Sequence, residues 1–156
     1  MKKGFGVSLA AGFIGGVAIM GIAVKKLAET ANKDVDKFRG YYNMLNQWMA
    51  IKQEGRSLEE YFIRNGYKTI AIYGMGGMGS RLYEDLKQTN IEVRYAIDQN
   101  AVCTDPELKM ITIDDEIETV DVIVVTATFA YDEIKELLSK KTKTTVISLE
   151  EVVFEI

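Results

Sequence analysis

Three glycines at fixed offsets, Gly74, Gly76 and Gly79, are the residues in this chain whose spacing points to chemistry. They close the stretch KTIAIYGMGGMG, Lys68 to Gly79, and fall on the template G-x-G-x-x-G. The first glycine permits a sharp turn, the second lets backbone approach a pyrophosphate, and the third lets a helix lie close on a strand. Gly77 and Met78 complete the turn, and a helix N-terminus behind it presents free N–H groups and a positive dipole end to an anion. Asp98 follows 19 residues after Gly79. A carboxylate at that distance accepts hydrogen bonds from a ribose diol and repels a 2′-phosphate, so the residues point to a nucleotide-type site rather than a bare structural turn.

The elements that must hold these residues are visible around them. Thr69 to Tyr73 is an apolar, β-branched run that stops at the glycines. Ser80 to Leu86 then carries helix formers with apolar residues three and four apart. Ile91 to Ile97 is the next apolar run and ends at Asp98. Strand, glycine turn, helix, strand and acid therefore arrive in the order a nucleotide site requires.

Downstream, Asn100 to Glu107 carries turn residues, Met110 to Ile113 reads as a short strand, and Asp114 to Thr119 as one acidic helical turn. Val120 to Ala127 is a continuous apolar run suited to a strand buried on both faces. Phe129 to Ser139 reads as an amphipathic helix and Thr144 to Leu149 as a last strand. The expected fold class is α/β: a Rossmann-like, doubly wound parallel sheet of order 3-2-1-4-5 with right-handed crossovers. Its ligand crevice lies between the first and fourth strands at their C-terminal ends, which sets Gly74 to Met78 opposite Thr126, Ala127 and Thr128.

Thr126 and Thr128 could donate to a phosphate or ribose there, and the plainer expectation for Thr128 is a helix cap. Arg81 could reach a phosphate, or be a surface arginine. Tyr131-x-x-x-Lys135 imitates the catalytic pair of short-chain dehydrogenases, but that family spaces its glycines differently and places its tyrosine much further along the chain. Asp114, Asp115 and Glu116 read as a solvated helix start rather than a metal site.

Composition removes several function classes. The 156 residues include no histidine, which excludes a histidine general base or zinc ligand, and Cys103 is the only cysteine. From residue 27 onward, 15 basic and 23 acidic residues leave a charge of -8, a poor surface for nucleic acid.

Six of the 13 glycines lie in the first 21 residues. Gly4 to Val24 is an uncharged run of 21 residues between two lysine pairs, long enough as a helix to cross a hydrocarbon core. It reads as an uncleaved membrane anchor; the rival is a signal peptide cleaved near Gly21-x-Ala23. Ser8, Gly12 and Gly16, with Ala11 and Gly15 beside them, make a small-x-x-x-small pattern that suits helix association in a bilayer. Lys25, Lys26, Lys33, Lys37 and Arg39 outnumber the charges before the run, which sets the globular part on the cytoplasmic side.

Between anchor and sheet, Val35, Phe38, Tyr42, Leu45 and Met49 step by three and four along one helix, with Tyr41 and Trp48 broadening the stripe. That stripe must bury against the following domain or against a second copy in a homodimer. Gly55 ends this helix, Ser57 to Glu60 is a capping box, and Asn65-Gly66 stops the short helix it starts.

The stretch from Tyr41 to Asn100, with YYNMLNQW, KQEGRSLEEYF, NGYKTIAIYGMGGMG and YAIDQN, resembles bacterial proteins associated with surface-polysaccharide biosynthesis. The order of elements over residues 41–156 is similar to the N-terminal, non-catalytic Rossmann-like domain of membrane-anchored nucleotide-sugar dehydratases and epimerases; such units also accompany glycosyltransferases. The resemblance does not extend to the second, catalytic domain of those enzymes, so no catalysis by these 156 residues is expected from it. The resemblance implies nucleotide or nucleotide-sugar binding through Gly74, Gly76, Gly79 and Asp98, with a glycosyltransferase or other envelope protein as partner.

The expected organisation is a transmembrane anchor over 1–26, an amphipathic helical segment over 27–67 and a nucleotide-binding domain over 68–156. The expected function is a membrane-anchored binding module for NAD or a nucleotide sugar, not an enzyme on its own. The alternatives are a small NAD-dependent oxidoreductase acting on a sugar nucleotide, with Tyr131, Lys135 or Asp98 as its proton-transfer group, and a ligand-sensing domain like those regulating potassium transport.

Overall fold

The computed structural model describes residues 5–99 and 106–156, with side chains from residue 24 onward. It divides into two units, Met1–Tyr42 and Asn43–Ile156. The elements are α1 (Phe5–Gln53), α2 (Glu59–Arg64), β1 (Thr69–Tyr73), α3 (Gly77–Leu86), β2 (Glu92–Ile97), β3 (Lys109–Ile111), β4 (Val122–Val125), α4 (Tyr131–Ser139), β5 (Thr145–Ser148) and α5 (Leu149–Phe154), with a single 3-10 turn, Thr128–Ala130, before α4. Among the described residues no helix is long and apolar enough to cross a membrane. The expected anchor falls on residues 4–24, all but the last of which lie outside the fully described part of the chain.

The five strands form one all-parallel sheet in the order β3-β2-β1-β4-β5. β4 reads VIVV and every residue is buried, because both faces of this central strand are covered. On one face Ala71, Tyr95, Ile97, Ile123 and Val125 cluster with Leu138 of α4, and Tyr131 and Ile134 of the same helix pack against them. The pleat turns the alternate residues Ile70, Ile72, Val122 and Val124 the other way, and all four are fully buried. Gly79 of α3 lies against Ile72 on that second face. Helices therefore cover both sides of the sheet.

Three local expectations change. Asp114 to Thr119 contains no helix. The Asp115 carboxylate instead accepts from the Thr112 N–H at 2.7 Å and its hydroxyl at 2.8 Å, turning the chain, while Ile113, Ile117 and Val120 fill the face a helix would have covered. The last strand stops at Ser148, whose hydroxyl accepts the Glu150 N–H at 3.2 Å and so caps α5, a helix of six residues too short to show a period. The helix after the glycines starts at Gly77, three residues before Ser80.

The long first helix buries a different side than its most regular stripe. Met44, Trp48 and Ile51 are buried, whereas Val35, Phe38, Tyr42 and Met49 are exposed. The buried side is fixed by the Trp48 indole N–H, which donates to Asp85 of α3 at 3.3 Å, and by the Lys52 ammonium on the same carboxylate. Gly55 then takes φ 73° and ends the helix. The Ser57 hydroxyl accepts from the Glu59 N–H at 3.2 Å and Glu60 accepts from the Ser57 N–H at 3.4 Å, a reciprocal pair that starts α2.

Candidate functional site

The chain leaves β1 through Gly74, whose φ of 93° lies in the region that favours glycine. Its N–H donates to the Ile97 carbonyl at the end of β2, 2.9 Å away. From the other side, the Thr126 hydroxyl at the end of β4 donates to the Gly74 carbonyl at 2.6 Å. A Cβ on Gly74 would stand 2.9 Å from that hydroxyl oxygen, so the turn is closed against any side chain there. The next N–H, that of Met75, donates to the Asp98 carboxylate at 2.7 Å. Residues 23 to 52 positions apart in sequence thus meet at the C-terminal ends of β1, β2 and β4.

The three glycines have three different reasons. A Cβ on Gly79 would lie 2.1 Å from the Gly74 carbonyl oxygen, so the helix could not approach the turn with any larger residue. Gly76 precedes α3 with φ -65° and ψ -167°, values open to other residues, and a Cβ on it meets no described atom within 4 Å. Neither packing nor backbone requires glycine at that exposed position. Gly77 is the exposed first residue of α3, and its carbonyl accepts from the Arg81 guanidinium at 2.7 Å; Met78 follows, half-buried.

The first backbone bond of the helix runs from the Ser80 N–H to the Gly76 carbonyl at 3.0 Å. The N–H groups of Gly77, Met78 and Gly79 precede it and have no partner within the helix, which leaves donors at its start. The positive dipole end adds to them, so the turn is suited to an anion. Asp98, beside the same turn, adds a carboxylate that accepts hydrogen bonds from hydroxyl donors.

Sequence reasoning missed two members of this cluster. Tyr73, the last residue of β1, has its hydroxyl pushed above the ordinary tyrosine range, first by burial and then by the charge of Asp98. The Ser80 hydroxyl donates to the Met75 carbonyl at 3.3 Å and braces the turn. Both flank the glycine motif directly, and their position next to it was the available signal.

Other expected residues do different work. Thr126 is buried, and its hydroxyl hydrogen is committed to the loop. Thr128 opens the 3-10 turn rather than standing at the start of α4; the residue in the cap position of α4 is Ala130, which makes no side-chain cap bond, so the expected cap at Thr128 is corrected. The Tyr131 hydroxyl donates to the Val146 carbonyl at 2.9 Å, and the Lys135 ammonium lies 5.2 Å from the centre of its ring. Asp114 pairs with Lys141 at 3.1 Å, apart from the Asp115 turn.

No protein-family model, no curated protein and no solved structure matches this chain. The geometry of the glycine turn therefore carries the functional reading.

A separate groove of about 510 Å³ runs between α1 and α3. Leu45, Trp48 and Met49 form its apolar wall, and Lys52, Arg81 and Glu84 its charged rim. It reaches the glycine turn at Gly77 but includes neither Asp98 nor Thr126.

Proposed function

We propose that this chain is a membrane-anchored module that binds NAD or a nucleotide sugar in a Rossmann-like domain and serves bacterial cell-surface polysaccharide biosynthesis without catalysing a reaction itself. The observation that carries the binding half is Gly76. The fold demands glycine at Gly74 and at Gly79, yet nothing among the described residues demands it at Gly76, where a Cβ at the helix start would meet no described atom within 4 Å. A pyrophosphate lying against that backbone supplies the missing reason.

Asp98 sets the class of nucleotide. Its carboxylate follows the end of β2 and accepts from the Met75 N–H, which supports a role as acceptor for a ribose diol beside the turn. A 2′-phosphate at the same place would bring two anions together. Gly77, Met78 and Gly79 supply donors to the phosphates, and Thr126 and Thr128 line the β4 side of the crevice. The module reading is supported by Tyr131, whose hydroxyl donates to the Val146 carbonyl, so one of the three candidate proton-transfer groups is already engaged.

Calorimetric titration of the full-length chain in mild detergent tests the binding half. NAD or a UDP-sugar is expected to bind, with NADP weaker by about tenfold or more. Equal affinity for NAD and NADP would remove the role given to Asp98. The anchor is tested by fractionation: the full chain is expected with membranes and residues 27–156 without them, and identical fractionation would remove it.

A further inference from the structure

The exposed stripe of α1 has the period of a coiled coil, and we propose that it pairs in parallel with the same stripe of a second copy of this chain. Val24, Ala28, Ala31, Val35, Phe38 and Tyr42 follow one another at steps of four, three, four, three and four. That is an unbroken 3.5-residue repeat with an apolar residue at every a and d position. In sequence the same steps continue to Leu45 and Met49, both of which line the open groove beside α3.

Among the described residues these side chains are largely exposed: Val24 is 61 %, Val35 53 %, Phe38 68 % and Tyr42 64 % exposed. A row of large apolar residues at that exposure along a single helix marks an interaction face. In the same heptad register the buried residues Met44, Trp48 and Ile51 fall at c and g positions, outside the a and d set.

Charge selects the partner and its direction. With Ala28, Val35 and Tyr42 at a, Asp34 falls at g and Arg39 at the following e. In a parallel pair of identical helices these two positions meet across the seam, giving two symmetric Asp34 to Arg39 pairs. In an antiparallel pair e faces e, which would set basic Lys25 and Arg39 against their own kind. Among the described residues Arg39 pairs with Asp36, at 3.4 Å with both side chains well exposed, a contact weak enough to give up. This pairing is independent of the nucleotide reading.

Disulfide trapping in the full-length protein, with Cys103→Ser as background, tests it. Phe38→Cys is expected to yield a cross-linked dimer under mild oxidation, and Lys33→Cys, at an outer f position, is not. In sedimentation, Asp34→Arg is expected to raise the dimer dissociation constant about tenfold and Asp34→Arg with Arg39→Asp to restore it. A monomeric wild type, equal trapping at both positions, or a double variant no tighter than Asp34→Arg would overturn the proposal. Because all four positions are exposed, none of these variants disturbs the core.

Discussion

Gly79 and the carbonyl of Gly74 are so close that a single methyl group on Gly79 would come within 2.1 Å of the oxygen. The contact joins the helix after the turn to the strand before it, and it sets the height at which the α3 N-terminus meets the sheet edge. Relief requires moving backbone, since the second atom met is the Gly74 carbonyl carbon at 3.0 Å. Gly79→Ala is therefore expected to lower stability by about 3 kcal/mol, as overpacking against backbone does. Urea unfolding measures this; a loss near zero would mean the helix can lift without cost.

Thr126 closes the turn from the β4 side. Thr126→Val keeps the shape and removes the hydroxyl, which takes away the hydrogen bond to the Gly74 carbonyl. The expected cost is about 1 to 2 kcal/mol, the usual range for losing one partner of a part-buried bond. Hydrogen exchange should show faster opening around residues 74–76, with the far end of the sheet unchanged. Uniform acceleration across the sheet would contradict a local role.

At the opposite end of β1, Asp121 accepts from the N–H groups of Lys68 and Thr69, each at 2.8 Å, and from the Thr69 hydroxyl at 3.0 Å. These bonds, the Thr69 N–H foremost, hold its carboxyl below the usual carboxylate range. A carboxyl whose folded value is depressed stabilises fully above its unfolded value, about 3.9, and loses that contribution as pH falls through the lower folded value. The stability gap between wild type and Asp121→Asn should thus be largest near neutral pH and narrow as acid is added below about pH 4. A gap that stays constant down to strong acid would show that the carboxylate charge is not what the strand end uses.

The sheet was legible because its signals are local and redundant. Thr69 to Tyr73 reads as a strand from β-branching alone and has those bounds in the structure. The apolar run Val120 to Ala127 reads as a strand covered on both faces, and the strand itself is its core, VIVV, Val122–Val125. The expected 3-2-1-4-5 order, one that right-handed crossovers allow, is the order of the sheet. The glycine turn was legible for the same reason at Gly74 and Gly79, where template and geometry agree.

What sequence could not deliver depended on competition between equals. α1 carries two apolar stripes, and periodicity favours the exposed one; only the Trp48 and Lys52 bonds to Asp85 decide which side packs. Asp114 to Thr119 has helical composition, but Asp115 finds Thr112 before a helix can start. Thr128 has the residue type of a cap, yet it enters a 3-10 turn, and the β4 threonine that is bonded is Thr126. α5 is too short for any period, and its one signal was Ser148 three residues before Glu151.

The most direct test of nucleotide binding at the turn is thermal unfolding of the full-length chain with and without NAD, comparing wild type with Gly76→Val. A Cβ at position 76 meets none of the described residues, so the variant alone should stay within about 1 kcal/mol of wild type. NAD at about a hundred times its dissociation constant should add about 2.7 kcal/mol to wild type, on the order of 10 °C, and leave the variant unmoved. An equal NAD shift in both proteins, or no shift in wild type with NAD or a UDP-sugar, would contradict a nucleotide site built on this turn.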